Sequence, residues 1–346
     1  MRFVQQVMIV TSIVLPVILA TRTVDMMRGV FLCFACALIL NLPFVLYGSN
    51  DFVPYGAKLV DIGIEGYFEG KNYLGECAAP ALLLSLYEMR CPGWGRRALG
   101  FSVFVLAILL VFLSHSKTAL GLALVSPFLA SLTLTVRKMT RISPAIILLS
   151  IPISWIVLSH VSNLSMERLS YILYGDSSLT GRTVIWDFAQ SEIQRSPFLG
   201  WGYQSFWLVP GSPSLEAPGW VKGMPNAHNG YYDTMLELGR VGLAFLSVFI
   251  LATLHAIGRV ADRNPARARL LLSLALFVIM YNFLESLWMR GFEFLWLLFV
   301  IVAAEIARYC QPFPLRRVEY RSRSLKPGSP GPLSGAQTSR LRISLP

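Results

Sequence analysis

Long apolar runs constrain this chain more than any other feature. Nine of them, at about 3–20, 30–47, 72–88, 98–113, 117–136, 143–160, 233–258, 268–287 and 291–308, approach the length that crosses a bilayer as a helix. Lipid offers backbone amides no hydrogen-bond partner, so such runs must be helical. The fold expected is an all-α polytopic membrane protein with about nine transmembrane helices and one long, partly helical extracytoplasmic loop. Only 14% of residues are charged, against about 25% in soluble domains, which argues against a soluble or disordered chain. The first run lacks an A-x-A-like cleavage site, so it reads as a span and not as a signal peptide.

The net charge of +11, from 30 Lys and Arg against 19 Asp and Glu, is a topology signal. One set of loops plus the tail holds 20 Lys and Arg; the opposite set holds 9. Positive loops stay inside, which puts the C-terminus in the cytoplasm and the N-terminus outside. No basic stripe interleaved with aromatics is left over, so no nucleic-acid partner is expected. An odd span count behind so short an outer N-terminus leads to the expectation of a further span upstream. Cys33 and Cys36 form a C-x-x-C inside an apolar run with no second pair, and imply neither a disulfide nor a zinc site.

The outer segment 161–232 is far longer than the other connections and carries Trp186, Trp201, Trp207 and Trp220. Loops of that length are usually functional or disordered, and this one is too aromatic for disorder. Apolar residues at Val184, Ile185, Phe188 and Ile193 predict a helix over 183–195, stopped by Pro197 and lying along the membrane surface. Residues 1–309 read as one transmembrane domain. Residues 310–346, rich in Pro, Gly, Ser and Arg, read as a disordered basic cytoplasmic tail touching membrane lipids.

Several side chains on the outer side can carry chemistry. His228 ends the long loop, and Asn229 is placed to cap the next helix. A histidine can take a proton from a hydroxyl at neutral pH, and it can equally be an ordinary interfacial residue. His115 sits on a short outer turn and carries less weight. Arg182 opens the surface helix, where a guanidinium beside free helix amides suits a phosphate or a lipid headgroup. Lys71 and Lys117 each begin a span, where they can snorkel or join Arg182 on one anionic ligand. Glu237 and Arg240 lie three residues apart within a span and are expected to face each other, with Gly239 and Gly242 allowing close helix packing. Glu285 ends another span. No D-x-D, P-loop, G-x-S-x-G or dinucleotide fingerprint occurs, and no metal-ligand spacing, so no cofactor and no metal are expected.

Taken in order, these residues resemble a known family. His228-Asn229, nine residues, then Gly239-x-x-Gly242 is similar to the signature of bacterial O-antigen ligases and Wzy-type polysaccharide polymerases. Gly181-Arg182-Thr183-x-x-Trp186, followed by Ser196-Pro197-x-x-Gly200-x-Gly202-x-x-x-Phe206, resembles that family's loop. Ser114-x-Ser116-Lys117-Thr118 matches a span-start motif in which the family commonly has Arg; Lys keeps the charge and loses the bidentate fork. Glu69-Gly70-Lys71-Asn72-x-x-Gly75, with Glu285, is similar to the exopolysaccharide-production polymerase branch.

The resemblance implies a metal-independent glycosyltransferase at the outer face of the bacterial inner membrane. Its donor would be an undecaprenyl-diphosphate-linked glycan, with a chain-length regulator and export machinery as partners. On that reading Arg182 and Lys117, helped by Lys71, stabilise the diphosphate leaving group. His228 is the general base on the acceptor hydroxyl. Trp201, Trp207 and Trp220 pack on sugar faces, and Asn229, Gly239, Gly242, Glu237, Arg240 and Glu285 support the site. A polymerase adding repeat units is the leading reading. A ligase transferring glycan to lipid A-core is the alternative, and a lipid-linked glycan flippase is the rival from another class. A flippase would be expected to show internal repeats, and none is seen.

Overall fold

The computed structural model describes residues 2–20, 25–47, 64–68, 70–162 and 181–310. Among them are ten α-helices: α1 Arg2–Leu19, α2 Met26–Tyr47, α3 Lys71–Glu88, α4 Trp94–Leu113, α5 Lys117–Thr140, α6 Pro144–Ser162, α7 Arg182–Arg195, α8 Gly230–Arg263, α9 Pro265–Tyr281 and α10 Phe294–Cys310. The protein is an all-α polytopic membrane protein. Residues 311–346, which hold all but the first residue of the expected tail, and 163–180 of the long loop lie outside the described residues, as do Asp51, Asp61 and Glu69.

Six helices, α1, α2, α4, α5, α6 and α8, are long and apolar enough to cross a membrane. They carry the exposed apolar belt, for example Phe101, Val105, Leu109 and Phe112 of α4 and Leu124, Phe128 and Leu132 of α5. An apolar stripe of that size on a folded surface marks contact with lipid. The other three positions read as spans are also helical, but they form the interior. Every residue from Leu74 to Ser85 of α3 is buried, and α9 is buried from Arg267 to Val278 except Arg269. Helices enclosed by other helices have no need of a wholly apolar surface, so α3 tolerates Glu76 and Glu88. Gly75 brings α3 against the start of α5, where a Cβ would lie 2.6 Å from the Ser116 Cβ.

Two boundaries differ from the apolar pattern. The span read as 268–287 stops at Tyr281, and 282–293 is an irregular connector to α10. Asn282 makes that turn, its Oδ1 accepting the amides of Leu287 and Trp288 at 3.1 and 3.0 Å. The span read as 233–258 is broken. Gly239 in α8 has φ 65° and ψ −164°, and the segment after α7 docks into the break. Across it, Trp201 N–H donates to Leu236 O and Gly202 N–H to Glu237 O. In return, Arg240 N–H donates to Pro197 O and Val241 N–H to Phe198 O. The docked turn segment thus satisfies backbone groups that the break would orphan.

Residues 181–238 form an outer layer with its own core. Ile185, Ala189 and Ile193 of α7 pack with Phe206, Trp207, Val221, Ala227 and Leu236. The helix predicted over 183–195 is present, but its apolar side faces this core. At the opposite end of the bundle, Asp25, Glu88 and Glu305 bind Arg28, Arg96, Arg267 and Arg308 in a continuous ion-pair network. Burial pushes the Asp25 carboxyl up, but Arg267 and Arg96 outweigh it and hold it below the usual carboxylate range.

Candidate functional site

The outer ends of α3, α7, α8 and the 282–293 connector meet at Glu285. Its Oε2 lies 3.0 Å from His228 Nδ1. Its Oε1 accepts from Arg182 Nη2 at 3.0 Å and from Asn72 Nδ2 at 3.4 Å. The side chains of His228, Arg182 and Glu285 are 32%, 16% and 14% exposed, so the imidazole is the most open member.

Local structure fixes the imidazole. Asn229 caps α8, its Oδ1 accepting from the amides of Tyr231 and Tyr232 at 3.0 and 3.2 Å. Its own amide donates to Ser286 Oγ at 3.0 Å, and its Nδ2 donates to Phe283 O. His228 itself adopts φ 48°, held by its amide donating to Asn226 Oδ1 at 2.9 Å. A left-handed non-glycine residue costs about 1–2 kcal/mol, and such strain concentrates at functional positions. Gly230 lies so close to Asn282 that a Cβ would sit 2.2 Å from Oδ1. Trp186 stacks on Tyr232 at 5.9 Å, and its Nε1 donates to Ala227 O, which ties α7 to the residue before His228.

A carboxylate only accepts hydrogen bonds, so the Glu285 contact puts the His228 proton on Nδ1 and leaves the Nε2 lone pair free. The same carboxylate orients the Arg182 guanidinium at the first residue of α7, after Gly181 in a left-handed cap. The arrangement can accept a proton and hold an anion within one small cluster. Lys71 begins α3 beside Asn72, and Lys117 begins α5 on the turn packed against Gly75. His115 is exposed on that same turn with φ 51°.

Other predicted site residues fall elsewhere. The break at Gly239 separates Glu237 from Arg240. Glu237 accepts from Gln204 N at 2.9 Å and from Arg290 at 3.4 Å, while Arg240 lies over the Phe198 ring at 5.8 Å. Gly239 and Gly242 do not pack helix on helix. A Cβ on Gly239 would meet Phe198 O at 2.1 Å, and one on Gly242 would meet Leu238 of its own helix at 2.2 Å. Trp207 is only 8% exposed and donates to Asp233 Oδ1 at 2.7 Å; most of it packs in the outer core, and what remains lines a cavity with Glu237 and Arg290. Trp201 is half-buried, with its Nε1 donating to Glu192 O and Arg195 over its ring. Trp220 is 51% exposed and lies against Gly181, one residue before Arg182.

A second hub was not anticipated. Asp233 accepts from Trp207, from the Ala227 amide at 3.1 Å and from Arg290 at 3.0 Å, so it anchors the residue before His228. Burial disfavours the Arg290 charge, but Asp233 and Glu237 override it and raise its pKa. Burial, with Glu237 nearby, pushes the Tyr203 hydroxyl up to about 12. The available signal was Asp233 and Glu237 at i and i+4, two acids on one helix face in need of a cation. Among the described residues, no group of three or more His, Cys, Asp or Glu is placed to hold a metal ion.

Comparison with known proteins agrees with the resemblance. Residues 102–247 match the O-antigen ligase family. The chain is also 26% identical over 279 residues to the exopolysaccharide production protein ExoQ of Rhizobium meliloti (strain 1021). That match covers 73% of this chain and 60% of the relative's length. The matched region runs from α4 through the break in α8 and takes in Lys117, Arg182 and His228, so over that stretch the chain is similar to the O-antigen ligase family.

Proposed function

We propose that the protein transfers glycan from a polyprenyl-diphosphate carrier to an acceptor sugar at the outer face of the bacterial inner membrane. The Lys and Arg placement supports a C-terminus in the cytoplasm for this reading. The observation that carries the proposal is the joint contact of His228 and Arg182 with Glu285. His228 Nε2 takes the proton from the acceptor hydroxyl as its oxygen attacks the anomeric carbon. The bond from that carbon to the diphosphate oxygen breaks, and the diphosphate leaves with the electron pair. Arg182 and Lys117, with Lys71, meet the charge that grows on it. His228 then gives its proton to solvent. Side-chain cations, not a metal, supply the electrostatic stabilisation in this reading.

Polymerisation of undecaprenyl-linked repeat units is favoured over ligation because the relative is an exopolysaccharide production protein. A chain-length regulator and export machinery are the partners such a step needs. Ligation to lipid A-core is the second reading, carried by the description of the matched family. The test is deletion in the native host, followed by analysis of the lipid-linked glycans and the surface polysaccharide. Single repeat units stranded outside are expected. Full-length polymer held on the carrier would mean ligation. Repeat units trapped inside would mean a flippase and would overturn the proposal.

A further inference from the structure

At the bundle end opposite His228, a cavity of about 170 Å³ opens between α3, α5 and α9. Its rim carries Arg90, just past the end of α3, and Arg269, near the start of α9. Its wall sets Leu83, Leu86, Leu270 and Pro127 beside Ser131 and Ser273. The neighbouring arginines are neutralised. Arg28 and Arg96 each reach Glu88 at 2.5 Å, Arg267 reaches Asp25 at 2.9 Å and Glu305 at 2.7 Å, and Arg308 reaches Glu305 at 2.7 Å. Arg90 and Arg269 have no carboxylate partner among the described residues. Arg90 donates only to the Leu86 carbonyl, at 2.7 Å. Both are exposed, and Arg269 is the one exposed residue in the otherwise buried run Arg267–Val278 of α9.

Two uncompensated guanidinium groups above a leucine wall fit one chemical class, an anion with an attached hydrocarbon chain. We propose that this cavity binds an anionic phospholipid of the membrane, with its phosphodiester between Arg90 and Arg269 and an acyl chain along Leu83, Leu86 and Leu270. Basic pockets between membrane helices recognise such headgroups, and guanidinium pairs with phosphate through paired N–H donors. A free phosphate would leave the leucine wall unused. The segment 311–346 carries seven Lys and Arg against one Glu, so its charge is wrong for the site.

The test uses the full chain in nanodiscs of equal phosphatidylglycerol and phosphatidylcholine, with retained lipid counted by native mass spectrometry. Arg90→Gln with Arg269→Gln is expected to lower retained phosphatidylglycerol about tenfold or more, two basic contacts being removed. Lys138→Gln with Arg259→Gln, the same charge change at other exposed positions, is expected to leave it unchanged. Arg90→Lys with Arg269→Lys is expected to restore most of the retention and so separates binding from folding. Equal loss in both Gln pairs would reduce the effect to general electrostatics. Displacement of the lipid by millimolar inorganic phosphate would make this a free-phosphate site. Either result, or unchanged retention in Arg90→Gln with Arg269→Gln, overturns the proposal.

Discussion

His228 Nδ1 and Glu285 Oε2 lie 3.0 Å apart although 57 residues of chain separate them. The contact joins the mouth of α8 to the connector after α9, and the second carboxylate oxygen extends it to Arg182 on α7. One acidic side chain thus sets both the tautomer of His228 and the direction of Arg182.

Both carboxylate oxygens of Glu285 are used as acceptors, and an amide offers only one. Glu285→Gln therefore either releases one partner or keeps Arg182 on its oxygen and turns its NH2 to His228 Nδ1, which moves the imidazole proton to Nε2 and leaves no base there. Polymer yield at equal membrane levels is expected to fall roughly 10²-fold or more, as when an orienting carboxylate is removed from a catalytic histidine. His228→Ala and Arg182→Ala are expected to abolish product. Wild-type polymer from Glu285→Ala would remove the orienting role.

Asn229 holds α8 and the connector together. Asn229→Ala loses the helix cap, at a cost of about 0.5–2 kcal/mol, and loses the bond to Phe283 O. Thermal melts in detergent should show a modest destabilisation, with a much larger loss of activity because His228 is the adjacent residue. Asn229→Asp should recover the capping part of the stability, since its carboxylate still caps, but not the bond to Phe283 O and not the full activity.

Glycine substitutions should divide sharply. At Gly239 a Cβ would lie 2.1 Å from Phe198 O at positive φ, and at Gly200 it would lie 2.6 Å from the Glu237 backbone. Gly239→Ala and Gly200→Ala should each cost several kcal/mol, beyond the ~1–3 kcal/mol of overpacking alone, and lower the folded yield. Gly121→Ala, with nothing within 4 Å on the α5 surface, should raise stability by up to ~1 kcal/mol. Similar melting temperatures for all three would count against the docked segment.

Arg267 is buried between Asp25 and Glu305. Arg267→Ala removes the cation that links the two halves of the network, leaving Asp25 with Arg96 and buried Glu305 with Arg308, and should cost up to about 3 kcal/mol. The pH dependence has a fixed sign. Asp25 is held below its ordinary 3.8, so its share of the stability is present above that value and is lost as pH falls through the lower native one. Melting temperatures between pH 7 and pH 3 should drop at the acid end in wild type, and less in Asp25→Asn.

The helices were legible because hydropathy over some twenty residues is a strong signal, and α7 because its apolar spacing is regular. The break in α8 was not, because local apolar content continues across Gly239 and the docked segment comes from some forty residues earlier. Glu285 was recognised at a span end, but its partners at Asn72, Arg182 and His228 are all distant in sequence, and single-chain periodicity carries no information on such pairs. The burial of Trp207 was not legible for a related reason. A tryptophan in an outer loop reads as a surface platform until a partner such as Asp233 is seen to take its N–H inside.

The four backbone bonds that stitch residues 197–202 to the break in α8 have a mechanical consequence. They make the outer layer continuous with α8, so it cannot swing away as a hinged cover without breaking these bonds. Rotation of the outer half of α8 would carry His228 and residues 197–202 together, and under the proposed function a lipid-linked donor would approach from the side, past the helix ends.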